Sequence, residues 1–180
     1  FHRSYNEKNW RILPRQAVHD SSSVTYPVFT AIAAPEVQNK LNGDFAIIAG
    51  PYLQNLATGG CELDYTLTFV SEKFISMVFF GVLDEGEKEI FAKIPLNIDV
   101  QTGAQLALGD VLNLRDADLL PVLRLLTKKD KVDFSKGIPE SWYYNGTNFV
   151  FCQRSEIGEW LEATVAASDL KKFLLKPELF

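Results

Sequence analysis

Two hydrophobic periods succeed one another along this chain, and each change of period marks an element. Cys61, Leu63, Tyr65, Leu67 and Phe69 alternate with Glu62, Asp64, Thr66 and Thr68, the pattern of a half-buried antiparallel strand. Ser71-Glu72 reads as a tight turn, and the run 73–83 is apolar on both faces, which predicts a central strand. After a charged loop at 84–88, Ile90, Ala92, Ile94, Leu96, Ile98 and Val100 resume the alternation. Pro95 falls in the opposite set, where no ladder bond is needed. Thr102-Gly103 makes a further turn, leading into Leu106, Leu108 and the short stretch 109–112.

Upstream the period lengthens. Pro35 stands where a helix tolerates it best, at the start, and Val37, Leu41, Phe45, Ile48 and Tyr52 form one apolar stripe. Asn42-Gly43 and Gly50-Pro51 interrupt the stripe and predict a kink or two shorter helices, with Gly59-Gly60 as the end. Residues 1–23 are polar around Trp10, Ile12 and Leu13 and read as a peripheral strand or arm, with a loop at Ser21-Ser22-Ser23. Val24 to Phe29 is β-prone, and Pro27 marks it as an edge or a strand end.

Downstream, Asp118 is placed to cap a helix over 119–129 whose last turn carries Lys128 and Lys129. Asn145-Gly146 between Trp142–Tyr144 and Thr147–Cys152 predicts a hairpin. A strand over 160–165 turns Leu161, Ala163 and Val165 inward, and Ser168 caps a last helix with Leu170, Phe173 and Leu174. The expected fold class is α+β: an antiparallel, meander-rich sheet packed by two or three helices. The expected organisation is a small N-terminal lobe, 1–58, and a C-terminal sheet-and-helix domain, 59–180.

Composition narrows the function. With 180 residues, 47% of them apolar and 23% charged, the chain can bury a core without staples. A net charge of −5 argues against a dedicated nucleic-acid binder. No run approaches the roughly 18 apolar residues of a membrane span. There are two histidines, His2 and His19, and neither has a ligand partner at i+4, so no metal centre is expected. His19-Asp20-Ser21 is no triad, because adjacent side chains diverge. The glycine-rich motifs that cradle phosphates are missing, so no cofactor is expected. Cys61 and Cys152 read as buried free thiols, with a disulfide as the alternative.

Two groups could carry chemistry. Glu62 with Asp64, or Glu156 with Glu159, could serve a carboxylate-based glycoside hydrolase; the plainer reading is surface carboxylates on an acidic protein. Trp142, Tyr143 and Tyr144 precede the hairpin turn, and Phe149 and Phe151 follow it. Exposed, they would suit a carbohydrate-binding module or a protein-recognition surface; otherwise they fill both layers of a covered sheet. The charged loop from Arg154 to Trp160 lies beside that sheet, where a binding site would sit.

The segment 96–112, a strand followed by a Thr-Gly turn and Leu106-x-Leu108-x-Asp110, resembles a known pattern, as does Asn145-Gly146 with Phe149-Val150-Phe151, Glu156-Ile157-Gly158 and Leu161 to Leu174. Both resemble the extracytoplasmic domain shared by RsiV-like anti-sigma factors and PdaC-like peptidoglycan deacetylases. Tyr26-Pro27 and the helix from Pro35 with Leu41-Asn42 look like the smaller domain that precedes it. The resemblance implies a domain outside the cytoplasmic membrane, with a signal or anchor upstream of Phe1. It implies a lysozyme-like protein or peptidoglycan as partner. It carries no catalytic role, because the deacetylase domain is a separate unit with an Asp and a His pair. In the family a Pro-Tyr-Glu-Ile loop helps contact lysozyme; here Arg154-Ser155 replace the Pro-Tyr, while Glu156 and Ile157 match. The candidate ligand-binding residues are therefore Trp142, Tyr144, Arg154, Glu156, Ile157 and Trp160, in a non-catalytic binding or sensing domain.

Overall fold

The computed structural model describes residues 3–6, 10–31, 34–84, 86 and 89–180. His2 and most of the charged loop 84–88 lie outside the described residues. The polar N-terminal segment forms long strands. A short β1 (Tyr5–Asn6) and β2 (Arg11–His19) pair antiparallel, and β2 continues into β3 (Ser22–Thr30) through a turn in which Asp20 takes a φ of 50°. Ser22 and Ser23, expected in a loop, belong to β3. Strand β2 is solvated over most of its length, which explains its polarity: Ile12 is fully buried while its neighbours are exposed, whereas β3 is largely buried.

Helix α1 (Pro35–Asn55) is one continuous element. It buries Val37, Leu41, Phe45, Ala49 and Tyr52, the stripe expected from the period, with Ala49 in place of Ile48. Pro51 does not break it, since the carbonyl its missing N–H leaves free belongs to Ile47, on the solvated side. Strands β4 (Cys61–Val70), β5 (Phe74–Asp84) and β6 (Glu89–Asp99) form the antiparallel meander, and β7 (Ala104–Gln105) adds to the end of β6.

Together β1 to β7 make one seven-stranded sheet in chain order, with a single parallel join of β3 to β4. That join spans only Ser23–Glu62 and Val24–Leu63. Farther along β3, the Asn42 amide supplies the backbone partners: its Oδ1 accepts from the Phe29 N–H at 2.7 Å, and its Nδ2 donates to the Phe29 carbonyl at 3.0 Å. A boundary at 58/59 thus cuts through this sheet, and one hydrophobic cluster holds Ile12, Phe29 and Phe45 together with Tyr65, Phe79 and Ile98.

The second cluster lies on the other face of the sheet. It is built on β8 (Ser141–Tyr144), β9 (Asn148–Arg154) and β10 (Trp160–Ala166), a three-stranded antiparallel sheet with β9 in the centre. The short α2 (Leu108–Val111), α3 (Leu119–Leu126) and a C-terminal 3-10 turn over Ala167–Phe173 close it. Asp118 precedes α3 as expected, but its carboxylate makes no cap hydrogen bond and lies 3.4 Å from the Lys172 ammonium instead. The β8–β9 turn sets Asn145 opposite Asn148, the Asn145 N–H donating to the Asn148 carbonyl at 3.1 Å, and Asn145 Oδ1 accepts from the N–H groups of both Thr147 and Asn148. A buried polar knot joins the two sheets. Ser76 Oγ donates to Asn97 Oδ1 at 2.7 Å, Asn97 Nδ2 donates to the Trp142 carbonyl at 2.7 Å, and the Tyr144 N–H donates to Ser76 Oγ at 2.8 Å. The architecture is α+β, as the period changes predicted.

Candidate recognition groove

The knot pins β8 over the Ser76 and Asn97 positions, and β8 is only four residues long. The second sheet therefore covers the outer face of β5 as far as Val78 and leaves the rest open. Phe80 is 43% exposed and Phe91, from β6, 52% exposed. Register places Phe80 beside Asp64 and Lys93, and Val82 between Glu62 and Phe91. With Trp160 these side chains line a groove of about 580 Å³. Phe91 and Trp160 also line a neighbouring hollow of about 660 Å³, walled by Lys131 and residues 157–162.

Of the candidate ligand residues, Trp160 lines both hollows and Ile157 the larger one, while Arg154 and Glu156 stand on the same β9–β10 turn and line neither. The turn that holds them is hydrogen-bonded throughout: the Ser155 N–H donates to the Glu159 carbonyl at 2.8 Å, the Gly158 N–H to the Ser155 carbonyl at 3.0 Å, and the Glu159 N–H to Ser155 Oγ at 2.9 Å. Gly158 sits at a φ of 85°, a conformation that favours glycine. Arg154 Nε donates across the turn to the Gly158 carbonyl, and Ile157 stands at the tip, 82% exposed. Glu156 points to solvent, 3.8 Å from the Lys136 ammonium. Trp160 is half-buried, and its indole N–H is sealed from solvent with no hydrogen-bond partner among the described residues.

Trp142 and Tyr144 do not belong to this site, and their assignment to a ligand surface is corrected. They are 2% and 4% exposed. Trp142 stacks on Phe149 and Phe74 at centroid distances of 5.4 and 6.4 Å, and Tyr144 packs against Phe69, Phe149 and Phe180. They fill the layer between the sheets. Tyr143, on the opposite face of β8, belongs instead to a polar cluster beneath the groove. The Lys93 ammonium pairs with Glu162 and lies over the Phe80 and Tyr143 rings. The Tyr143 hydroxyl donates to Glu162 Oε1 at 2.9 Å. Burial first, and then the Glu162 carboxylate, push the Tyr143 phenol well above its ordinary range. Burial likewise pushes the Cys152 thiol up to about 12, against the pull of Lys93. Cys152 and Cys61 are both buried free thiols.

Each pair of carboxylates weighed for hydrolysis stays together on one element. Glu62 and Asp64 share the outer face of β4, where Asp64 pairs with Arg3, while Glu156 and Glu159 sit on the β9–β10 turn. Phe80, Phe91 and Lys93 were missed by sequence reasoning. The signal available was the apolar character of alternate positions on both faces of the β5–β6 pair.

The fold is similar to solved structures of two members of the DUF3298 family. One, from Bacteroides fragilis NCTC 9343, aligns with a TM-score of 0.65 at 13% identity, over 92% of this chain and 92% of that one. The other, from Pseudomonas aeruginosa PAO1, aligns with a TM-score of 0.59 at 12% identity, over 94% and 95%. At such identities the likeness is one of fold, to a domain of unknown function. No family model matches the sequence, and no curated protein does. Among the described residues no helix is long and apolar enough to cross a membrane.

Proposed function

We propose that this chain is a non-catalytic recognition domain working outside the cytoplasmic membrane, with a lysozyme-like protein or another cell-envelope component as its ligand. The observation that carries the reading is the uncovered groove. Phe80 and Phe91 in the groove and Ile157 in the adjoining hollow present large apolar side chains to solvent, beside a half-buried Trp160. Contiguous exposed apolar surface rimmed by polar groups is characteristic of protein-interaction sites, and aromatic anchors dominate their energetics. The net charge of −5 favours encounter with a cationic protein. The scarcity of histidines and the buried, protonated state favoured for Cys152 support the non-catalytic part. Calorimetric titration with hen lysozyme, and pull-down on purified peptidoglycan, test the proposal. Ile157→Asp is expected to weaken binding by about tenfold or more, a loss typical of an interface anchor. No binding to either material overturns the reading.

A further inference from the structure

The groove has an edge as well as a floor. In the register of β5 with β6, the Val100 N–H donates to the Lys73 carbonyl, so Ile98, Leu96, Ile94, Ala92 and Ile90 spend their backbone groups on β5. The odd-numbered residues face the other way, as the Asn97 and Asp99 carbonyls do in accepting from Leu106 and Gly103. Strand β7 pairs only with Ile98 and Asp99. Pro95, which lacks an N–H, sits in the outward set without loss. This leaves the N–H and C=O groups of Phe91 and Lys93 on an edge without a strand partner among the described residues, where Phe91 lines the 660 Å³ hollow and both residues line the 580 Å³ groove. From these facts we infer that the edge of β6 at Phe91 and Lys93 takes up an extended, basic segment of a partner protein as an added strand. The inference rests on the recognition reading above and specifies its mode.

Strand addition accounts for both halves of the site. Main-chain hydrogen bonds to a sheet edge give affinity, and pockets for alternate side chains give selectivity. A residue placed opposite Phe91 projects on the same face, into the groove beside Trp160, where an apolar or aromatic side chain forms a cross-strand pair. Charge specifies the flanks. Lys93 and Glu162 neutralise each other and Asp64 is held by Arg3, whereas Glu62, Asp84, Glu89 and Glu159 line the connected hollows with no ion pair among the described residues. Lys131 lines the hollow beside Glu159. A second copy of this chain would bring that acidic rim against itself, so a lysine- or arginine-flanked segment fits better.

The test uses the full chain, labelled with nitrogen-15, and a capped peptide that alternates valine and phenylalanine with threonine and carries lysines at both ends. Titration is expected to shift the Phe91 and Lys93 amide resonances and to slow their hydrogen exchange. N-methylation of the peptide amides that face β6 is expected to weaken binding by about tenfold or more, while methylation of the alternate set leaves it within about threefold. Equal binding of the two methylated peptides overturns strand addition, as does protection of these amides by concentrating the protein alone. Hen lysozyme that binds without moving either amide also overturns it but leaves the recognition reading standing. Failure of the peptide to bind overturns strand addition, and failure of lysozyme and peptidoglycan as well overturns the two together.

Discussion

The Lys93–Glu162 pair, beneath the groove, joins β6 of the large sheet to β10 of the small one, and its removal should cost more than a surface ion pair. The Lys93 side chain is 13% exposed and that of Glu162 is 37% exposed. Exposed pairs contribute about 0–1 kcal/mol, whereas breaking a buried pair costs about 3–5 kcal/mol through the charge left behind. With one partner nearly buried and the other partly wet, Glu162→Gln should cost about 2 kcal/mol, since it strands the Lys93 ammonium between the Phe80 and Tyr143 rings. In a chain of this size that lowers the melting temperature by roughly 4–8 °C. Lys93→Met should cost about half as much, because the carboxylate it leaves is the better solvated partner and keeps the Tyr143 hydroxyl as a donor. Circular dichroism during urea unfolding measures both. A change under about 0.5 kcal/mol for Glu162→Gln, or a larger loss for Lys93→Met, refutes this account of the pair.

Trp142→Ala should destabilise by about 3–5 kcal/mol, since the indole fills the layer between the sheets, and the loss will show as a collapsed near-ultraviolet dichroism signal. Gly81→Ala places a Cβ 2.0 Å from the Tyr52 hydroxyl oxygen and should cost about 2 kcal/mol or more, recovered in part by Tyr52→Leu; equal melting temperatures for wild type and variant would sink the packing argument. Stability should be level at neutral pH and fall as pH rises beyond 9 to 10, the ordinary values for Cys and Tyr. Cys152, Tyr143 and Tyr65 hold their protons more tightly when folded, so the unfolded chain releases protons first and stability is lost until the folded groups titrate. Urea midpoints taken across that range check it, and a midpoint that rises with alkali contradicts it.

The meander was legible because β4 keeps a half-buried alternation and β5, buried on both faces over residues 74–79, reads as an unbroken apolar run between two turns. The β2–β3 hairpin was legible only in part: a strand or arm and the β-prone stretch from Val24 to Phe29 could be read, but not the length of β2 or its pairing. Of its first strand only Ile12 is fully buried, and the polar remainder of β2 carries no alternation to read. The unbroken helix was hidden for a different reason. Pro51 announces a break, and only the exposure of Ile47 explains why the lost hydrogen bond is tolerated there. The parallel join of β3 to β4 is a long-range contact settled by the packing of α1, with Asn42 answering Phe29, and no local pattern encodes it.

The site was half legible for a related reason. The β9–β10 turn stands out as a charged loop around Gly158, and Ile157 and Trp160 follow from it. The aromatic cluster misled because alternation says that two faces exist and not how far each is covered. Coverage depends on the length of β8 and on where Ser76 and Asn97 pin it, which is a property of two sheets meeting. Yet the open rows differ from ordinary solvated sheet in one respect. The outward positions of β4 are Glu62, Asp64, Thr66 and Thr68, whereas those of β5 and β6 in the same open rows include Phe80, Val82 and Phe91. A face that only water touched would have no physical need of phenylalanines on its outer strand. Their persistence beyond the end of the covering sheet, along a strand edge left without a partner, is the reason to look for the ligand at β6.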